Sequence, residues 1–451
     1  MVDRDRLAKL LERERATFRE RHPRSRAAYQ AGGASLFGGV PMTWMNKAPG
    51  GFPVYLAQAR GAWVTDLDGH RYVDFCLGDT AAMAGHSPEP VVRAVQQRLG
   101  EAGGATAMLP TEDAAWVGAE LARRFGVPLW SFSLTATDAN RWAIRLARLV
   151  TGRPRILVCN WCYHGSVDET LVTLGDRGPV SRDGNVGAPV DPTLTTRVVE
   201  FNDLDGLDRE LAHGDVACVL MEPALTNIGI VLPRSGYLEG VRALTRRHGV
   251  LLVNDETHTL SAGPGGATAA WGLQPDVVTV GKAIAGGVAA GAYGLTGELA
   301  ERVQARRDAD LIDTGGVGGT LAGNALSTAA ARATLEHVLT AEAFGRMIAL
   351  ASRLSEGLRG VLGARGLPWS VVQLGARAEL RFTAPPPVNG AQSAAAGDPE
   401  LDDYLHLYLH NRGVLLTPFH NMALTCPATT HADIDLHIEV FAACLDELTG
   451  T

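Results

Sequence analysis

Residues 250–255 read VLLVND, residues 277–282 read VVTVGK and residues 216–222 read VACVLME: three short, almost continuous apolar runs, each stopping at a polar residue. Apolar runs without alternation are the mark of strands buried on both faces, which belong to parallel sheets covered by helices. Ile156 to Cys159 fits the same pattern. Ligands of open parallel sheets lie beyond the carboxyl ends of the strands, so Glu222, Asp255 and Lys282 are expected to converge on one crevice.

Outward from this region, helices alternate with such runs from about residue 90 onward. Upstream, Asp3 to Arg21 reads as a charged amphipathic helix, with Pro23 and the glycines Gly32, Gly33, Gly38 and Gly39 marking its exit into loop. Ala62 to Asp66 and Tyr72 to Phe75 flank Asp68-Gly69, a hairpin signal. An alanine-rich helix is expected from about Ala322, and mixed strands and a helix near Asp433 to Leu448 finish the chain. Pro385 to Gly397, the only low-complexity stretch, reads as a surface loop of the final lobe. The domain expectation is a segment 1–75 joining a small domain, a large domain 76–330 and a C-terminal small domain 331–451.

The 451 residues suffice for a substantial core, and the 52 glycines exceed the background of roughly 7%. A net charge of −8 argues against a broad nucleic-acid surface and for a small-molecule substrate. Six scattered cysteines suit a reducing cytoplasm. No signal-type apolar segment opens the chain, and no run of about 18 apolar residues occurs, so export and membrane insertion are not expected.

Lys282 is flanked by Gly281, Ala283 and Ile284 rather than by charges. Desolvation disfavours an ammonium ion, and an uncharged amine is the nucleophile that Schiff-base chemistry needs. A lysine reaching from a strand end to water would look the same. The phosphate-loop alternative fails, because the upstream glycine and the following Ser/Thr are missing. Asp255 has no basic neighbour in sequence; buried, it would need a cation such as a protonated pyridine nitrogen, or it is a helix cap or a structural ion pair. Thr135, Ala136 and Thr137 open a helical run and suit either a phosphate or ordinary capping. Residues 314–320, TGGVGGT, form a loop suited to an anion or to a plain mobile turn. Cys159-x-x-Cys162 has no second pair and no matching histidines, so no metal is expected there.

Taken together, AWVTDLDGHRYVDF (62–75), GHSP (85–88), Tyr163-His164-Gly165, Glu222-Pro223, Asp255-Glu256, Gly281-Lys282, Gly319-Thr320 and Gly323-Asn324 resemble the class III aminotransferases, within them the subgroup around glutamate-1-semialdehyde 2,1-aminomutase. The likeness runs from about Gly38 to Leu448. It implies an α/β chain of PLP fold type I, with a large domain on a mostly parallel seven-stranded sheet and a small α+β domain. It also implies pyridoxal 5'-phosphate as cofactor. Lys282 matches the Schiff-base lysine, Asp255 the partner of the pyridine nitrogen, and Tyr163 the aromatic residue stacked on the ring, with Thr257 on the opposite face. Thr135, Ala136 and Thr137 match the phosphate turn. Thr320 matches the threonine reaching the phosphate of a neighbouring subunit, which implies a homodimer. Asn227 and His258 fall where the cofactor's phenolic oxygen is contacted.

The substrate side departs from this pattern. The aminomutase arginine has no counterpart in Gly38 to Met45, and the late arginine of other class III members is missing from Met422 to Pro427. A carboxylate would then need another partner, with Arg377 the candidate, or the substrate is an amine; Trp44, Met45 and Met83 suit an apolar or aromatic substituent or plain packing. The leading expectation is a ping-pong transaminase acting on an amino donor and a carbonyl acceptor. Its rivals are an intramolecular aminomutase and a silent cofactor-binding or scaffold protein.

Overall fold

The computed structural model describes residues 2–187, 190–306 and 319–450. They fall into two compact units, one of Glu89–Phe344 and Pro387–Ala395, the other of Met1–Pro88, Gly345–Pro386 and Ala396–Thr451.

The first unit is built on a seven-stranded sheet in the order Leu129–Ser133, Gly291–Leu295, Val277–Val280, Leu251–Asp255, Val216–Met221, Arg155–Cys159, Thr196–Val199. Gly291–Leu295 runs against both of its neighbours, and the remaining strands are parallel. Val216–Met221 is buried at every position, as a strand covered on both faces requires. Gly291–Leu295 carries no apolar run of the same kind. Its Gly294 packs under the Trp130 indole, where an added Cβ would come within 2.6 Å of the ring, so glycine is required for the fit. Asp255 lies opposite Thr279 and Asn254 opposite Met221, which aligns the carboxyl ends of the three central strands. Helix Ala136–Thr151 packs its buried face of Ala139, Ala143, Ile144 and Ala147 on this sheet. It starts at the Thr135 cap and stops at Gly152, whose φ of 69° takes the left-handed conformation that ends helices.

The second unit holds a four-stranded sheet, Leu56–Arg60, Trp63–Asp66, Arg71–Asp74 and Val414–Leu415, and a three-stranded one, Ser370–Leu374, Arg377–Arg381 and Met422–Leu424. Its core draws on Leu7, Leu11 and Phe18 of helix Arg4–Arg21 together with Tyr404, Phe441 and Leu445. The hairpin around Asp68-Gly69 forms as its turn residues dictate.

Two expectations are corrected. Pro23 opens a second helix, Pro23–Gly32, because a proline at the first helical position loses no hydrogen bond. The stretch Pro385 to Gly397 contains helix Gly390–Ala395, and its residues Pro387–Ala395 belong to the first unit. There Ser393 Oγ donates to the Ile228 carbonyl at 2.5 Å, and Gly390 lies so near the Asn160 carbonyl that an added Cβ would come within 2.3 Å. Small residues allow that approach, so a composition that reads as loop forms a packed contact.

Candidate active site

Three strand ends of the first unit supply the site. Leu251–Asp255 ends at Asp255, which is buried and ringed by donors: Asn140 Nδ2 at 2.7 Å and His164 Nδ1 at 2.9 Å donate to its Oδ2, and the Thr257 amide donates to Oδ1 at 3.0 Å. Asn140 is held in turn by the Thr279 hydroxyl, which donates to its Oδ1 at 2.6 Å. Burial opposes ionisation of Asp255, but His164, with the Thr257 and Asn140 hydrogen bonds, holds its carboxyl down at about 2. Burial likewise disfavours a charged His164 ring, yet Cys162 and Asp255 carry it well above its ordinary range.

Val277–Val280 hands over to Gly281 and Lys282. The lysine has φ of 50°, opens the short 3-10 turn Lys282–Ala285, and brings its Nζ to 2.9 Å from His258 Nε2. Gly281 is pressed against the start of helix Ala136–Thr151; an added Cβ would come within 2.8 Å of the Ala136 nitrogen. That helix start is the Thr135-Ala136-Thr137 turn. Thr135 Oγ1 accepts from the Asp138 amide at 3.2 Å, and Thr137 Oγ1 accepts from the Ser166 amide at 3.2 Å. A Cβ on Gly165 would overlap Thr137 Oγ1, so the segment Tyr163 to Gly165 lies directly against the turn. The first amides of a helix have no partner within it and carry its positive end, which makes this a seat for an anion.

Val216–Met221 ends at Glu222, whose carboxylate accepts from the Thr226 hydroxyl at 2.5 Å and which burial pushes up to about 7. Asn227 follows, donating to the Trp161 carbonyl at 3.3 Å. Thr257 is buried with its side chain against Asp255, and the buried His164 ring lies beside Cys162.

The strand ends thus bring Asp255, Lys282 and Glu222 to one edge, with Thr257 and His258 just past Asp255. The roles of Asn140 and His164 were not read from sequence, although an asparagine among Ala139, Ala143 and Ile144 on an apolar helix face was a visible signal. Thr320 is exposed in the turn ahead of helix Ala325–His337; residues 314–318 of its loop lie outside the described residues. Trp44, Met45, Met83 and Arg377 belong to the second unit. Met83 and Arg377 are buried there, Arg377 donating to the Thr80 hydroxyl, while Trp44 packs on Phe419 and Met45 is largely exposed.

Residues 45–445 match the family model of class III aminotransferases. The chain belongs to the class III aminotransferases. A glutamate-1-semialdehyde 2,1-aminomutase of Chloroflexus aggregans is 34% identical over 433 residues, 92% of this chain and 96% of the relative. A crystal structure of a glutamate-1-semialdehyde-aminomutase from Pseudomonas aeruginosa PAO1 superposes with a TM-score of 0.96 at 49% identity, covering 99% of each chain. An omega-transaminase from Sphaerobacter thermophilus superposes with a TM-score of 0.86 at 28% identity, covering 95% of this chain and 98% of its own. A lysine-to-alanine variant of the Pseudomonas protein was solved in complex with PMP.

This class III enzyme therefore has PLP fold type I and uses pyridoxal 5'-phosphate. Its residues suit that group on their own terms. Asp255, held ionised at full burial by His164, presents an anion to which a pyridinium nitrogen can donate. The helix start fits a phosphate, and the glycine contacts at Gly165 and Gly281 keep the cradle clear of side chains. Among the described residues, no helix is long and apolar enough to cross a membrane.

Proposed function

We propose that this enzyme is an intramolecular aminomutase that exchanges amino and oxo groups between adjacent carbons of one substrate, of the glutamate-1-semialdehyde type. The observation that carries this reading is the 49% identity over 99% of both chains to the Pseudomonas protein described by that activity, with curated relatives of the same name over about nine-tenths of the chain. They favour it over the ping-pong transaminase to which the sequence first points.

Bound pyridoxal phosphate supplies an aldehyde that binds amines and a ring that accepts electrons from the neighbouring carbon. Everything else falls to the chain. Lys282 Nζ would hold the cofactor at rest and, once displaced, would carry the proton between carbons. His258, within 2.9 Å, steers that amine. Asp255, its charge held in place by His164 and Asn140, would keep the ring nitrogen protonated. Thr135, Ala136 and Thr137 would seat the phosphate, Tyr163 and Thr257 would flank the ring, and Asn227 would face its phenolic oxygen.

A second reading, transfer between separate donor and acceptor molecules, is favoured by one feature: neither Gly38 to Met45 nor Met422 to Pro427 contains an arginine to clamp a substrate carboxylate. One experiment separates the two. The enzyme in its amine form is given the 2-amino aldehyde alone, and the product is identified by mass spectrometry and NMR. Sustained turnover to the isomer aminated at the terminal carbon supports the aminomutase. Turnover that appears only with an added amino donor and carbonyl acceptor supports the transaminase.

A further inference from the structure

Arg182, in the unit that holds Lys282, is a half-buried arginine whose charge meets no carboxylate among the described residues. Its side chain makes one hydrogen bond there, Nη1 donating to the Cys162 carbonyl at 2.7 Å, and its Cζ lies 5.3 Å from the centroid of the Trp161 ring. Arg148, Arg155 and Arg197 of the same unit are each paired with Glu169 or Asp215. A guanidinium stays charged and carries five N–H donors in a planar fork. Most of the Arg182 fork is uncommitted. Burial pulls this group below its ordinary value, with Cys162 and Tyr163 opposing, so an arriving anion meets a cation already stripped of part of its water.

The fold holds the side chain from two sides. Arg182 follows strand Gly178–Ser181, which pairs with Val172–Gly175, and its amide donates to the Leu171 carbonyl at 3.0 Å. This hairpin is fastened to the end of strand Arg155–Cys159, where Asn160 Oδ1 accepts from the Leu174 amide at 2.9 Å. On the other side, Trp161 takes φ of 64°, a left-handed conformation that bulky residues adopt only where their surroundings hold them. Contact with an indole face steadies a guanidinium without using its N–H groups as donors to oxygen.

The residues that anchor Arg182 also border the reacting centre. Cys162 precedes Tyr163, expected on the cofactor ring, and His164, which donates to Asp255. The Trp161 carbonyl accepts from Asn227, expected at the phenolic oxygen. Arg377, by contrast, is buried in the other unit and spends a donor on the Thr80 hydroxyl.

We infer that Arg182 binds the carboxylate of the substrate, the task left open by the two missing arginines, and so selects amino acids over simple amines. The inference rests on the reading above in one respect: a substrate of the glutamate-1-semialdehyde type carries a carboxylate apart from the carbons that exchange groups.

The test uses the holoenzyme in its pyridoxal phosphate form. Conversion to the amine form is followed by cofactor absorbance with 5-amino-4-oxopentanoate, 5-aminopentanoate and L-alanine, each compared with its own methyl ester, and the concentration dependence separates an apparent Kd from a limiting rate. For an acid that reacts, the wild type is expected to bind acid at least ~10-fold tighter than ester, the scale of a charge-assisted hydrogen bond. In Arg182→Gln the acid Kd rises to that of the ester, while the ester Kd and its limiting rate stay as in the wild type. Arg182→Lys recovers part of the loss, because it restores the charge without the fork. Loss of acid and ester alike makes Arg182 a brace for the Trp161 segment and overturns the proposal. An acid Kd unmoved in Arg182→Gln, equal binding of acid and ester by the wild type, or reaction with no acid does the same. The aminomutase reading fails separately: if 5-amino-4-oxopentanoate is inert while another acid reacts, that reading is wrong, and the comparison with the reactive acid still decides the role of Arg182.

Discussion

Asp255 shows how one residue is tuned by its neighbours. A carboxylate with the His164, Asn140 and Thr257 partners described above has its pKa depressed to about 2, so its contribution to stability is complete above the unfolded value near 3.8 and is lost as pH falls toward about 2. His164 shifts the other way: raised above 6.5, its contribution is complete below that value and is lost as pH climbs through the raised one. Cofactor retention and melting temperature measured against pH should therefore hold between roughly pH 4 and 6.5 and decline on both sides. In His164→Asn the alkaline decline should vanish. Asp255→Asn removes the charge at constant shape and is expected to lower kcat by about 100-fold or more, since buried electrostatic partners contribute on that scale. Lys282→Ala removes the proposed proton carrier, and a loss of about 10²–10⁴-fold in turnover is expected from that role alone. Lys282 and Asp255 were legible in sequence because each terminates an apolar strand. The orienting pair was not, because His164 and Asn140 are brought to Asp255 by tertiary contacts that no spacing encodes.

Among elements, helix Ala136–Thr151 and the strand-to-turn passage at Gly281 are coupled through a contact with no spare room. Gly281→Ala sets a methyl group 2.8 Å from the Ala136 nitrogen, so the helix start must retreat. Overpacking of this kind costs about 1–3 kcal/mol, and the weakened phosphate seat should appear as a raised Kd for pyridoxal phosphate in a fluorescence titration. Thr135→Ala loses the cap and should lower stability by about 1 kcal/mol in urea unfolding. Unbroken apolar runs marked out the central strands, whereas Gly291–Leu295 went unseen because Gly294 serves the Trp130 packing, Gly291 the close approach to Thr135, and both dilute its hydrophobicity. Alanine and serine at 391–396 read as loop for the opposite reason: small residues fit a close contact as readily as they fit a flexible tail.

At the scale of the molecule, the family and the fold type were legible because many separate motifs occur in one order, while the choice between isomerase and transaminase rests on substrate contacts that composition does not record. The homodimer proposed from Thr320 has its own test, in which Lys282→Ala and Thr320→Asp chains are mixed and allowed to reassort. If Thr320 serves the neighbouring site, each hybrid holds one doubly damaged and one intact site, and the mixture recovers about a quarter of wild-type activity. If each chain completes its own site, no recovery occurs. The most direct measurement of all is peptide mapping after borohydride reduction of the enzyme loaded with pyridoxal phosphate. The expected result is a single phosphopyridoxyl group on the peptide containing Lys282. An adduct on another lysine, or none at all, would contradict the role given to the residue that ends strand Val277–Val280.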